Sequence, residues 1–150
     1  PQKGFDRLLH ALPEHMYVDI LGEGPFFQEH PRARWHGRQE NIPEWLARAD
    51  ILAIPSRWEG FGLVAAEGMA AGVPIVAFAV DGLVEVIADA GILVPPGDSL
   101  AFHDALSLLS RSPTLRKELG QKGLQRAALH FDIRLTLSFF EDLYRTVTAQ

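Results

Sequence analysis

The sequence has no cysteine. That excludes disulfides, thiolate metal sites and a cysteine nucleophile, and it fits a reducing compartment. No apolar run approaches the roughly 20 residues of a membrane span, and a signal peptide is not expected. Basic residues are in the minority, 14 against 19 acidic ones, and the net charge is −5 with no lysine- or arginine-rich stretch. A nucleic-acid partner is therefore not expected. The six histidines form no HxxxH or HxH pair, so a zinc site is not expected either. There is no Walker GK[ST], and a full GxGxxG after Gly22 fails because Phe27 stands where the third glycine would be. These features set the expectation of a cytoplasmic protein, peripheral to a membrane at most in its full-length form.

What is present is a globular balance. The 150 residues are 47% hydrophobic and 22% charged, which suits one domain with a real core. No internal repeat, linker or low-complexity segment divides the chain. Phe5, Leu8, Leu9 and Leu12 follow helical spacing until Pro13. Residues 16–21 form a short apolar strand candidate, followed by the loop Gly22, Glu23, Gly24, Pro25. Residues 26–31 read ambiguously, at most as one helical turn. Residues 34–37 suggest a second strand, 42–49 a helix opened by Pro43, and 51–54 a third strand. Residues 74–79 are continuously apolar, the mark of a strand buried on both faces. A helix over 82–88, a strand over 91–94, and helices from Asp98 or Ser99 to about 110 and from Pro113 to about 130 follow. At the C-terminus Ile133, Leu137, Phe140, Tyr144 and Val147 recur at alternating spacings of four and three, an amphipathic helix. Asp50 reads as a local cap. Trp35, Trp45 and Trp58 read as core or rim packing.

Strands alternating with helices predict an α/β fold, a Rossmann-like doubly wound parallel sheet with helices on both faces. Ligands of such sheets sit at the carboxyl ends of the strands. The loops over 22–25, 37–41, 55–62 and 80–82 should line that rim.

One stretch concentrates the chemistry. Residues 55–72 read P-S-R-W-E-G-F-G-L-V-A-A-E-G-M-A-A-G. They predict a strand end, a glycine-rich turn and a helix from about Leu63. Free N–H groups and the positive end of the helix dipole make such a turn an anion site. Glu59 and Glu67 flank it. A carboxylate can accept sugar hydroxyls or stabilise positive charge at an anomeric carbon. Equally, Glu59 can cap backbone N–H groups and Glu67 can be a solvated helix residue. Lys3 before Gly4 can pair with a phosphate or be a surface lysine. Gly22 and Gly24 form a tight turn able to approach a ligand. Arg38 on the rim can stack on a nucleobase or remain a surface arginine. Asp81 reads mainly as a turn residue. Ser56 lacks the context of a nucleophilic serine.

These segments together resemble family 4 (group 1) of the retaining GT-B glycosyltransferases. The run from Glu59 to Glu67 is similar to the family's E-x7-E signature. Lys3-Gly4 resembles its K-G motif, residues 21–25 its G-x-G loop, and residues 91–98 its G-x-L-V-x-x-G-D segment. The resemblance implies a nucleotide-sugar donor-binding domain occupying the whole chain. Lys3 would contact the donor diphosphate, and Glu59 would approach the sugar and the reacting centre. Backbone N–H groups of Phe61, Gly62, Leu63 and Val64 would hold the phosphates. Glu67 would accept the ribose hydroxyls, Gly22 and Gly24 would border the donor, and Arg38 would flank the base. No metal or other cofactor is implied beyond the nucleotide-diphosphate sugar substrate. Alternatives are a non-catalytic nucleotide-sugar or phosphate-binding module and a GT-B-like sugar-nucleotide epimerase.

The departures are informative. The family's donor domain opens with a strand ending in Gly-Arg, and this chain begins after it. That strand's place is between residues 17–21 and 51–54. The expectation is that these two strands pair directly or that another chain fills the slot. The N-terminal acceptor domain is absent too, so the isolated chain should be nearly inactive. Self-association through the C-terminal helix or the strand slot is a further expectation. Gly68 replaces the family's usual alanine, a change that lowers helix propensity by up to about 1 kcal/mol.

Overall fold

The computed structural model describes residues 2–24 and 28–148. Pro25, Phe26 and Phe27 lie outside the described residues. Residues 28–30 form no helix.

The short apolar runs become the strands. These are β1 (Val18–Ile20), β2 (Ala33–Trp35), β3 (Leu52–Ile54), β4 (Ile75–Phe78) and β5 (Gly91–Val94). The periodic segments become helices: α1 (Phe5–Ala11), α2 (Ile42–Arg48), α3 (Leu63–Ala70), α4 (Asp81–Ile87), α5 (Ser99–Arg111), α6 (Pro113–His130) and α7 (Ile133–Thr148). Polar side chains and prolines set several boundaries. Asp98 accepts the Ala101 N–H at 2.9 Å and caps α5, and Ser112 accepts the Leu115 N–H at 3.3 Å and caps α6. Pro43 and Pro113 occupy first-turn positions, where their missing N–H costs nothing. Asp50, expected to cap, makes no cap bond; the chain leaves α2 through Ala49, whose N–H bonds Leu46 O.

All pairing between these strands is parallel. β1 pairs with β2, Asp19 opposite Arg34; β3 pairs with β4, Ala53 opposite Val76; β4 pairs with β5, Ala77 opposite Leu93. The orders are β1-β2 and β3-β4-β5, in two separate sheets. The expectation was that residues 17–21 and 51–54 pair directly or that another chain fills the slot between them; the two strands do not pair. Instead a cavity of about 830 Å³ lies between them, lined by both strands. Parallel crossovers are right-handed. The chain progresses in opposite directions on the two sides of this slot, which puts helices on both faces.

The core is centred on β4. Ile75, Val76, Ala77 and Phe78 are all fully buried, and Phe78 packs against Phe102 of α5 with ring centroids 4.8 Å apart. Burial of Ile75, Val76 and Phe78 contributes about 1.5–3 kcal/mol each. α3 lies close on its neighbours because small residues face them. A Cβ on Gly68 would stand 2.4 Å from Leu52 Cδ2, so the glycine in place of alanine sets the approach of α3 to β3. α7 differs from every other helix. None of its side chains is buried, and Ile133, Leu137, Phe140, Tyr144 and Val147 are exposed. No helix among the described residues is long and apolar enough to cross a membrane.

Candidate functional site

The site gathers where β3 ends and α3 begins. Pro55 stops the strand because it has no N–H to offer a neighbour. The chain then turns through residues 56–62 and enters α3 at Gly62. Gly62 has φ +90°, and a Cβ there would stand 2.5 Å from Leu83 Cδ2. Only glycine meets both demands at low cost. Gly62 O receives the Ala65 and Ala66 N–H groups at 2.8 and 3.3 Å. The N–H groups of Phe61, Gly62, Leu63 and Val64 find no acceptor among the described residues. Four free donors at the positive end of α3 form an anion site.

Lys3 reaches this turn from the other end of the chain. Its ammonium lies 2.9 Å from Glu59 Oε1 and 3.0 Å from Oε2, with the Glu59 side chain 12% exposed and that of Lys3 50% exposed. Two side chains 56 positions apart thus form one charged unit. Close packing places them. A Cβ on Gly4 would overlap Pro55 O at 1.9 Å, so glycine lets the start of α1 lie directly on the end of β3. Arg57 N–H donates to Gln2 O at 2.8 Å, and the Arg57 guanidinium grips the Asp6 carboxylate at 2.9 and 2.5 Å. That hydrogen bond from Arg57 holds the Asp6 carboxyl below its usual range, against a smaller opposing effect of burial.

The other expected residues divide into two groups. Glu67 is exposed, and together with Lys3 and Ser56 it lines the carboxyl end of the slot. Phe61 is exposed and meets Phe131 edge-on at 5.6 Å, which ties the turn to the segment before α7. Gly22, Gly24 and Arg38 form a second rim. Gly22 N–H donates to Gly37 O at 2.7 Å in an antiparallel bridge, and Arg38 projects into solvent with no hydrogen-bond or ionic partner among the described residues. The slot separates the strands beneath these two rims.

Two further residues shape the turn without having been singled out as site residues in the sequence. Trp58, read as core or rim packing, lies on the rim beside Glu59 and is 58% exposed. Gly82 supports the turn from below; a Cβ there would stand 2.2 Å from Gly60 O. An Asp-Gly pair after a buried strand was its only signal. Asp81 is the exposed first residue of α4. Among the described residues no three His, Asp or Glu side chains converge as metal ligands.

Residues 1–112 match the family described as "Glycosyl transferases group 1". D-inositol 3-phosphate glycosyltransferase from Nocardioides sp. is 40% identical over 114 residues, covering 75% of this chain and 25% of that protein. Phosphatidyl-myo-inositol mannosyltransferase from Mycobacterium leprae is 34% identical over 167 aligned positions, covering 99% of this chain and 44% of that protein. The chain therefore spans less than half the length of these curated relatives. Among solved structures, sucrose-phosphate synthase from Thermosynechococcus elongatus superposes with a TM-score of 0.88 at 26% identity, over 99% of this chain and 43% of that one. HepE from Anabaena, crystallised with UDP-glucose, superposes with a TM-score of 0.84 at 22% identity, over 100% of this chain and 46% of that one, a likeness of fold. The fold is one Rossmann-like half of the GT-B architecture. With the matched segment covering three quarters of its length, this chain belongs to the group 1 glycosyl transferase family.

Proposed function

We propose that this chain is the donor-binding domain of a retaining glycosyltransferase, and that it holds a nucleotide-diphosphate sugar for transfer to an acceptor bound by a separate N-terminal domain. One observation carries the reading: Lys3, Glu59 and the free N–H groups at the start of α3 converge on a single rim. The diphosphate rests on the N–H groups of Phe61, Gly62, Leu63 and Val64. Lys3 turns from Glu59 to the phosphates, which frees the Glu59 carboxylate. Glu59 then faces the sugar and stabilises positive charge at the anomeric carbon as its bond to the diphosphate breaks. Glu67 accepts the ribose hydroxyls. Gly22, Gly24 and Arg38 border the base across the slot. The leaving diphosphate is met by Lys3 and the α3 dipole, with no metal, and the reaction is cytoplasmic. The acceptor domain covers the apolar stripe of α7; without it, copies of this chain associate through that stripe.

The test compares Glu59→Gln with Glu67→Ala in the polypeptide that joins this domain to its acceptor domain. Loss of Glu59 should lower turnover by about 100-fold or more while shifting donor affinity less than Glu67→Ala does. Turnover untouched by Glu59→Gln would leave only a binding module.

A further inference from the structure

The chain has three tryptophans, and packing accounts for two of them. Trp35 donates its indole N–H to Gln28 O at 3.1 Å and meets Phe5 edge-on at 5.4 Å. Trp45 donates to Gln39 Oε1 at 3.2 Å, with its ring 4.4 Å from that of His36. Both follow the usual rule of a packed ring and a paired N–H. Trp58 does neither. It is 58% exposed, its ring meets no other aromatic ring, and its indole N–H has no acceptor among the described residues. Its backbone, by contrast, is fixed. Trp58 O accepts from Gln2 Nε2 at 3.4 Å, and the preceding Arg57 N–H donates to Gln2 O at 2.8 Å. The next residue is turned inward: the Glu59 side chain is 12% exposed and grips Lys3. The cavity beside the turn is lined by Lys3, Ser56 and Glu67, and Trp58 is not part of that lining. The indole therefore stands on the outer lip, away from the crevice that takes the nucleotide.

We propose, given the reading of Glu59 as the residue that faces the donor's anomeric carbon, that Trp58 is a carbohydrate platform on which the pyranose ring of a sugar acceptor stacks its C–H face. This occupant follows from three features. First, an indole offers an apolar face and a polar edge, and the free N–H can donate to a sugar hydroxyl. Second, the indole stands in a polar frame made by the Gln2 amide, the Lys3–Glu59 pair and the Arg57–Asp6 pair. A pyranose, with an apolar face and a rim of hydroxyls, matches one aromatic face in such a frame. An acyl chain would strip water from those polar groups without replacing its hydrogen bonds. Third, consecutive Cα atoms lie only about 3.8 Å apart. A ring on Trp58 is thus presented to whatever Glu59 faces, from outside the crevice.

NMR of the three indole N–H groups tests this on the chain itself. Trp58→Phe identifies the Trp58 signal by its disappearance. The methyl glycosides of glucose, mannose, galactose and N-acetylglucosamine are then titrated up to their solubility. At least one should shift the Trp58 signal saturably while those of Trp35 and Trp45 stay still. Saturation transfer from the protein to the C–H protons of that glycoside should vanish in Trp58→Ala. In Trp58→Phe it should persist, with affinity lowered by about 2- to 10-fold. If no glycoside moves the Trp58 signal, or if the transfer survives in Trp58→Ala, the platform is refuted. A nucleotide sugar that displaces the glycoside would put the donor's own ring there and contradict the acceptor assignment. The amides at the start of α3 report the donor site separately. A silent Trp58 beside α3 amides that answer a nucleotide sugar refutes the platform alone. A responsive Trp58 beside silent α3 amides supports the platform and refutes the donor-site reading.

Discussion

All four side chains of β4 are buried, whereas in β1 only Ile20 is. The three-stranded half of the sheet is sealed by α3, α4, α5 and α6, and it ends in the turn that bears Glu59. The two-stranded half has three-residue strands, an open edge and a rim carrying Gly22, Gly24 and Arg38. The difference shows how labour is divided in this fold. The packed half holds its anion site in shape by itself, through glycines that let backbone touch backbone. The open half has no such packing along the edge that faces the slot.

The comparison can be broken most forcefully in the packed half. Phe102→Ala removes the ring on Phe78 and should cost about 3–5 kcal/mol, read as a lower urea midpoint for the whole domain. Gly82→Ala drives a Cβ to 2.2 Å from Gly60 O. It should cost about 1–3 kcal/mol and weaken donor binding, because the Glu59 turn must move. In the open half the effects should be smaller and local. Phe5 meets Trp35 edge-on at 5.4 Å. Phe5→Leu should cost about 0.5–1.5 kcal/mol and speed amide exchange in β2 more than in β4. The seam where α1 meets the β3 turn gives the smallest effect. Asp6 has a lowered carboxyl pKa because of Arg57, so its contribution is full above the unfolded value of 3.8 and fades as pH falls through the folded value. With the Asp6 side chain 42% exposed and Arg57 29% exposed, Asp6→Asn should cost less than about 1 kcal/mol at neutral pH and flatten that acid-side decline.

Much of this was legible in the residues, because local patterns encode local structure. The apolar run over 74–79 became β4, Asp98 became a cap, and the 55–72 stretch became a turn and a helix start. Whether residues 17–21 and 51–54 pair directly was left open between two alternatives, because nothing in either strand's residues records its neighbour; the structure separates them by a cavity. The grip of Lys3 on Glu59 is equally silent in the sequence: it follows from Gly4 lying on Pro55. Gly68 looked like a weakened helix position and proved to be a contact point for Leu52. Trp58 reads as core or rim packing in the sequence, which does not choose between the two, and its exposure excludes the core.

The most direct measurement is a titration of the chain with UDP-, GDP- and ADP-glucose, following backbone amides by NMR. One of the three should shift the amides of Phe61, Gly62, Leu63 and Val64 together with Lys3, and Glu67→Ala should weaken that response. If all three donors at millimolar concentration leave those amides unmoved, or move only residues remote from the start of α3, the assignment of this turn as the donor site is wrong.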